Sequence, residues 1–372
     1  MKVIIAAAGT GGHINPGIAI ANKIIEKEPN SEIIFVGTDR GLENDLVPRA
    51  GYKLKTIDAY GLSKKISIDN IKKLYKTYKG IGEANKIVKE FKPNIVIGTG
   101  GYICGAVVLA AKKNKIPVLL HESNAFPGKA VQMLAKKADT ILVSFKDAQD
   151  RIKNCKNVVF TGTPVKIKKQ NYSEVEKEKI IKELQLKNDK PIVLIFGGSQ
   201  GAQKINEAII SIIENKLNVE YQMVWATGPK QYDLIKEELE KNNINIEKIE
   251  NTKIVPYIYN MEEVENICDL VVARSGAMTI TEISNLEKPS ILIPLPNVSN
   301  DHQMYNAKVL EKVGGAKIIT NDNVEGELLN NTIKSIVLDK KICIEMGKNA
   351  YKVSTKDVEE KIFNEISKLV GR

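Results

Sequence analysis

Cysteine is scarce and scattered in this 372-residue chain: Cys104, Cys155, Cys268 and Cys343 stand far apart, with no CxxC pair and no Cys/His cluster. That excludes a zinc ribbon and argues against a disulfide framework, so the sequence reads as that of a cytosolic protein. No apolar run approaches the roughly 20 residues that span a bilayer. Met1–Ala8 imitates a signal peptide, but its apolar core is too short and runs into glycine, so it reads as a first strand. Asp-x-Asp is absent, which argues against a metal–carboxylate clamp on a diphosphate. No glycine run ends in Gly-Lys-Ser/Thr, which makes a P-loop nucleotidase a poor fit. Neither a metal nor a cofactor is expected.

What remains is globular. Hydrophobic residues make up 43% and charged residues 27% of the chain, which excludes disordered and fibrous classes, and the length suits two domains. The net charge of +10 is one-sided: up to Thr163 there are 26 basic against 14 acidic residues, and beyond it 29 against 31. A basic surface of this kind suits nucleic acid, anionic lipid or a polyanionic substrate, and charge alone does not choose among them.

Short β-branched runs alternate with helical periods. Lys2–Ala8, Glu32–Val36, Leu54–Asp58, Asn94–Ile97, Pro117–Leu120 and Thr140–Val143 predict one series of strands. Ile192–Phe196, Tyr221–Ala226, Leu270–Ala273, Ser290–Ile293 and Lys317–Ile319 predict a second. Between the first strands lie helical stretches such as Pro16–Lys27, Ile68–Phe91 and Gly105–Asn114. Continuous apolar strands separated by helices indicate parallel sheets covered on both faces, so the chain is expected to be α/β, with two doubly wound Rossmann-like domains. Turn residues at Thr161–Val165 mark the seam, with domains at 1–163 and 164–354.

Three strands run into glycines that open a helix: Gly9-Thr10-Gly11-Gly12-His13, Gly98-Thr99-Gly100-Gly101-Tyr102, and Gly197-Gly198-Ser199-Gln200-Gly201-Ala202. Glycine lets a ligand approach the backbone, and a helix N-terminus offers N–H groups and partial positive charge, which suits a diphosphate. The competing reading, three tight turns needed only for packing, weakens with each repetition. A dinucleotide fingerprint started at Gly9 meets Ile14 where its third glycine belongs, which disfavours a nicotinamide enzyme.

The three histidines, His13, His121 and His302, all fall at predicted C-terminal strand edges, where a doubly wound sheet binds ligands. After Leu270–Ala273 comes Arg274-Ser275-Gly276-Ala277-Met278-Thr279-Ile280-Thr281-Glu282. Here Gly276 marks the turn, and Glu282, an acceptor-only group, is able to take both hydroxyl protons of a ribose diol. An ordinary solvated helix glutamate is the alternative.

These motifs, in this order, resemble the bacterial MurG family over nearly the whole chain, together with His121-Glu122-Ser123-Asn124, Arg274-Ser275-Gly276-Ala277 and Asp301-His302-Gln303 with Asn306-Ala307. The resemblance implies a GT-B fold, two Rossmann-like domains facing across a cleft, with a final helix in 355–372 packing back on the first. It implies a peripheral enzyme at the cytoplasmic face of the membrane that works in peptidoglycan synthesis. The reaction implied moves GlcNAc, with inversion and without a donor metal, from UDP-GlcNAc to the 4-hydroxyl of MurNAc on undecaprenyl-diphosphate-linked lipid I. By motif match Thr10, Gly11, Gly12 and Asn124 lie near donor sugar or acceptor. Gly100, Gly101 and Tyr102 are assigned to the acceptor diphosphate. Ser199, Ala277 and Met278 approach the donor phosphates, Ile258 holds uracil through its backbone, Glu282 takes the ribose, and Gln303 reads sugar hydroxyls. Lys166 stands where the family has an arginine and so lacks its bidentate fork; Met304 stands where a second glutamine is common.

His13 is the expected general base, with Glu122 or His121 as alternatives. A UDP-GlcNAc 2-epimerase or another glycolipid glycosyltransferase of the same fold is the competing enzyme. A nucleic-acid partner is not expected, since the basic excess is mostly lysine without an aromatic RNA-binding pattern. The partners implied are UDP-GlcNAc, lipid I, an anionic membrane surface and cell-wall or division proteins. For the membrane, Leu62 and Ile66, with Ile68, Ile71, Leu74, Tyr75 and Tyr78, make an apolar stripe flanked by Lys64, Lys65, Lys72, Lys73, Lys76 and Lys79. Its period continues through Ile81, Val88 and Phe91, so core packing competes with membrane contact for the helical part.

Overall fold

The computed structural model describes residues 1–60 and 68–371, and of 68–75 the backbone alone. It divides into two compact units, Met1–Lys166 with Thr355–Arg372, and Ile167–Ser354.

The first unit holds seven parallel strands: β1 (Lys2–Ala7), β2 (Glu32–Gly37), β3 (Lys53–Thr56), β4 (Ile95–Gly100), β5 (Val118–Glu122), β6 (Thr140–Val143) and β7 (Val158–Phe160), in the order β3-β2-β1-β4-β5-β6-β7. The second holds six: β8 (Ile192–Phe196), β9 (Gln222–Ala226), β10 (Thr252–Val255), β11 (Leu270–Ala273), β12 (Ser290–Leu292) and β13 (Ala316–Ile318), in the order β10-β9-β8-β11-β12-β13. Each order reverses once at its centre, between β1 and β4 and between β8 and β11. Such a reversal sends successive helices to opposite faces and leaves a crevice beyond the strand ends. The central strands are apolar throughout because both faces are covered, as at Ile192–Phe196, where all five residues are buried.

Two strands were not expected from the sequence. β7 has only three residues, all half-buried, and β10 alternates buried Thr252 and Ile254 with half-buried Lys253 and Val255. Both are outer strands, so neither carries the continuous apolar run that marks a central one. The first helix begins at Gly11, five residues before the expected start, and runs through Pro16 to Lys27. Thr10, in extended conformation, is its N-cap.

The helix Val358–Leu369 belongs to the first unit. Ile362 and Ile366 are buried in the same cluster as Val3, Ile5, Ile14 and Ile18, and Glu360 pairs with Lys23 at 3.2 Å and Lys27 at 2.9 Å. Truncating Ile366 to alanine is worth about 2–5 kcal/mol on the general scale for such cavities. In the second unit the only tryptophan of the chain, Trp225, is fully buried and donates through Nε1 to Asn206 Oδ1 at 3.0 Å. Asn206 Nδ2 donates in turn to the Thr227 carbonyl at 2.9 Å, fixing the turn beside the third glycine loop.

Of the apolar stripe with its lysines, Leu62, Lys64, Lys65 and Ile66 lie outside the described residues, as do the side chains of Ile68, Ile71, Lys72, Lys73, Leu74 and Tyr75. Farther along the helix Ile68–Phe91 the pattern divides: Ala84 and Val88 are buried, Ile81 and Phe91 pack on the core, and Tyr78 is 75% exposed. Among the described residues no helix is long and apolar enough to cross a membrane.

Candidate functional site

Both reversal points carry glycine. In the first unit the chain leaving β1 passes Gly9 and enters its helix at once, so Gly11, Gly12 and His13 are the first helical turn and not a loop. The main chain of Gly9 donates to Glu43 Oε2 at 2.9 Å, and Glu43 Oε1 accepts from Thr38 N at 2.9 Å and Thr38 Oγ1 at 2.7 Å. Burial would raise the Glu43 carboxyl, but the hydrogen bonds from Gly9 and Thr38 outweigh it and hold the group below its ordinary range. Glu43 therefore fixes the turn as an anion. Nothing in the sequence pattern marked it.

His13 Nδ1 lies 3.1 Å from the Ala8 carbonyl. A carbonyl only accepts, so Nδ1 carries a proton, and in the neutral ring the lone pair is then on Nε2. From β4, Gly98, Thr99 and Gly100 belong to the strand itself, and the following helix starts at Ile103. Thr99 Oγ1 donates to the His13 carbonyl at 2.7 Å, and Gly100, at φ +133°, lies against the imidazole. Tyr102, 39% exposed, precedes the helix. Thr10, Gly11, Gly12 and His13 are thus brought together with Gly100 and Gly101.

The two alternative bases are both buried. His121 is buried at the end of β5, with Nε2 3.2 Å from the Gly162 carbonyl and Nδ1 3.4 Å from Ser123 Oγ, and burial pushes its pKa down to about 4. It is a neutral tie inside the first unit. Glu122 is buried as well: Oε1 accepts from the main chain and Nδ2 of Asn124 at 2.8 and 3.0 Å, and Oε2 from Gly128 N at 2.6 Å. Burial raises this carboxyl and those hydrogen bonds oppose the rise. These bonds tie Glu122 to the loop that carries Asn124. Lys166 is exposed at the end of the unit.

In the second unit the loops after β8 and β11 enclose a hollow of about 420 Å³, lined by Gly198, Gly201 and Lys204 from one side, Arg274 and Gly276 from the other, and Gln303. Gly201, at φ +76°, packs against the carbonyl of Thr227, where a side chain would not fit. Ser199 is exposed on this loop. The helices Gln203–Glu214 and Ala277–Asn285 both begin here, and neither N-cap, Ala202 or Gly276, makes a side-chain capping bond. The first-turn N–H groups of both helices, those of Ala277 and Met278 among them, thus have no capping side chain, an arrangement that suits an anion. Arg274 joins neighbouring strand ends: Nη1 donates to the carbonyls of Ile293 and Pro294 at 3.0 and 3.2 Å, and Nη2 to Asn321 Oδ1 at 2.8 Å.

Gln303 Oε1 accepts from Leu295 N at 2.9 Å, and its main-chain carbonyl accepts from Ser275 Oγ at 2.8 Å. A backbone N–H only donates, so the amide orientation is set, with Oε1 engaged and the NH₂ group left to donate. His302, expected at the same edge, has Nδ1 2.9 Å from the Ser299 carbonyl. Neither Glu282 nor Ile258 lines the hollow. Ile258 is buried in the turn after β10, between exposed Tyr257 and Tyr259, whose rings meet edge-on at 5.1 Å. Glu282 sits in the second turn of its helix, half-buried, with its pKa raised by burial. Glu265, which sequence reasoning missed, is 1% exposed with neither carboxyl oxygen hydrogen-bonded; burial raises it and the charge of Glu282 raises it further, against a lowering by Lys288.

Comparison with known proteins agrees with this geometry. Residues 3–143 match the glycosyltransferase family 28 N-terminal domain, and residues 192–362 the family 28 C-terminal domain. The chain is 42% identical over 369 residues to the UDP-N-acetylglucosamine–N-acetylmuramyl-(pentapeptide) pyrophosphoryl-undecaprenol N-acetylglucosamine transferase of Thermoanaerobacter sp. (strain X514), covering 99% of this chain and 100% of that one. It is 38% identical to the protein of the same name from Clostridioides difficile (strain 630), covering 99% and 89%. Its structure is similar to the crystal structure of Acinetobacter baumannii MurG, with a TM-score of 0.77, 26% identity and 99% of both chains covered. A UDP-GlcNAc 2-epimerase from Neisseria meningitidis bound to UDP-GlcNAc has a TM-score of 0.64 at 17% identity, covering 99% and 100%, a likeness of fold alone.

Proposed function

We infer the reaction from the premise that the chain belongs to glycosyltransferase family 28 and, within it, to the MurG transferases. It transfers N-acetylglucosamine from UDP-GlcNAc to the MurNAc of lipid I, giving lipid II and UDP. The observation that carries the donor half is the hollow of about 420 Å³ beneath two helix N-termini without side-chain caps. Such a place stabilises a departing diphosphate by preorganised N–H groups.

The residue roles follow as our reading. His13 is the general base: the Ala8 carbonyl keeps the proton on Nδ1, and Nε2 takes the proton of the MurNAc 4-hydroxyl as it attacks the anomeric carbon from the side opposite UDP. A single displacement of this kind inverts the anomeric centre. Thr10, Gly11, Gly12 and Asn124 border the reacting sugars, and Gly100, Gly101 and Tyr102 meet the acceptor diphosphate. Ser199, Ala277 and Met278 bind the donor phosphates, Ile258 the uracil and Glu282 the ribose diol. Gln303 donates from its NH₂ group to a sugar hydroxyl, and Lys166 supplies an unforked positive charge.

The acceptor is a polyprenyl diphosphate, and we assign the first unit to the cytoplasmic membrane surface. Its basic excess supports this, as does a second hollow of about 480 Å³ where Lys136, Lys137 and Lys156 stand beside the Lys112–Asp139 ion pair. Incubation with UDP-GlcNAc and a lipid I analogue tests the whole reading by release of UDP with a disaccharide product. UDP-ManNAc formed from UDP-GlcNAc alone would identify an epimerase instead.

A further inference from the structure

Two charged side chains line the hollow at the β8/β11 reversal, Arg274 and Lys204. The terminal nitrogens of Arg274 are bound to the neutral oxygens of Ile293, Pro294 and Asn321, and its Nε has no partner among the described residues, so its charge faces the hollow without a counter-ion. Lys204 is differently placed. It is the second residue of the helix Gln203–Glu214, whose first turn contains no acid, and its side chain is 54% exposed. Its ammonium lies 2.8 Å from Glu207 Oε2, and Gln203 Nε2 donates to Glu207 Oε1 at 2.9 Å. An ammonium has three N–H donors, so one contact to Glu207 fixes its position without exhausting it.

A nucleoside diphosphate carries more than one negative charge and gains more as the glycosidic bond breaks. A helix end offers roughly half an elementary charge, so two of them with Arg274 still leave part of that charge unanswered as the bond breaks. We propose that Lys204 is a second side-chain cation of the donor diphosphate site beside Arg274, held at the rim by Glu207. The proposal rests on reading the hollow as the donor site. Lys204 gives an N–H to a phosphate oxygen and keeps another on Glu207. Gln203 grips the far oxygen of Glu207 and keeps that carboxylate facing its own helix.

The test is calorimetric titration of the full-length protein with UDP and with uridine. Lys204→Gln is expected to weaken UDP binding by roughly 10- to 100-fold, the range for losing a charged hydrogen bond, and to leave uridine affinity unchanged. Lys204→Arg should recover most of the loss, and Glu207→Gln, which removes the competing acid, should tighten UDP binding several-fold. Wild-type affinity for UDP in Lys204→Gln would overturn the assignment of Lys204 alone. An equal loss for uridine would mean that the substitution disturbs the site as a whole, and would overturn it too. A wild-type protein that binds neither UDP nor UDP-GlcNAc would overturn the donor reading along with it.

Discussion

Gly100 leaves the space that the His13 imidazole fills. A Cβ at Gly100 would stand 2.7 Å from His13 Cγ and 2.9 Å from Nε2, and the backbone there has φ +133°, which a side chain rarely adopts. The glycine at the end of β4 therefore serves the histidine on the neighbouring helix as well as any ligand. Gly100→Ala is expected to displace the ring and lower kcat at least about 10-fold. His13→Ala should lower it by roughly 10²–10⁴, the general range for loss of a base. Steady-state kinetics with a lipid I analogue measure both; near-wild-type turnover in His13→Ala at every pH would remove His13 from the mechanism.

Glu282 is expected to act on donor affinity more than on chemistry, since the ribose is remote from the bond that breaks. Glu282→Ala should raise the donor KM with a smaller effect on kcat. Burial raises the pKa of this carboxyl, and only its ionised form accepts from both ribose hydroxyls, so donor affinity should improve as pH rises above the ordinary glutamate range. The pH profile of donor KM for wild type and Glu282→Gln checks this: the variant should lose the trend, and an unchanged profile would place the ribose elsewhere.

Stability should decline on both sides of a pH optimum. His121 is neutral in the fold, with its pKa pushed from 6.5 to about 4. The unfolded chain binds the extra proton, so the stability contributed by His121 is full above 6.5 and is lost as pH falls toward 4, at about 1.4 kcal/mol per unit for one group. Glu265 works in the opposite sense. Its raised pKa means that the folded chain holds a proton that the unfolded chain releases above 4.5, so stability falls as pH climbs. Glu265→Leu should flatten that alkaline decline and add about 1–3 kcal/mol at pH 8, the cost of a buried polar group without a partner. Urea titrations at several pH values read the difference, and parallel curves for variant and wild type would refute it.

Membrane attachment should depend on the lysine-lined hollow of the first unit. Replacing Lys136, Lys137 and Lys156 with glutamine should weaken co-sedimentation with anionic vesicles, at about 1 kcal/mol per lysine near the surface. Turnover of a soluble acceptor should be unaffected. Unchanged co-sedimentation would move the contact elsewhere, with the Leu62–Lys79 segment the next to test.

The glycines were the most legible part of the site, because a strand that ends in glycine and opens a helix has few purposes besides a close backbone approach. What they did not reveal is that Gly11–His13 are already helical and that Gly98–Gly100 are still strand, since glycine takes either conformation. The central strands were legible because covering on both faces demands unbroken apolar runs; β7 and β10 escaped because an outer strand needs apolar residues on fewer faces. Glu43, Lys204 and Glu265 were not legible at all. Each looks in sequence like one more surface charge, and only the fold brings Glu43 to Gly9, Lys204 to the hollow and Glu265 into the interior.

The return of Val358–Leu369 to the first unit also sets an order of assembly. During synthesis the strands of the first sheet emerge early and cover most of the helix Gly11–Lys27, but the part of the cluster that meets Ile362 and Ile366 stays open until those residues have left the ribosome. All of Ile167–Ser354 is made in the interval. A chain stopped short of Val358 would thus expose a greasy seam on an otherwise finished sheet, an address for chaperones and proteases that the helix Val358–Leu369 conceals.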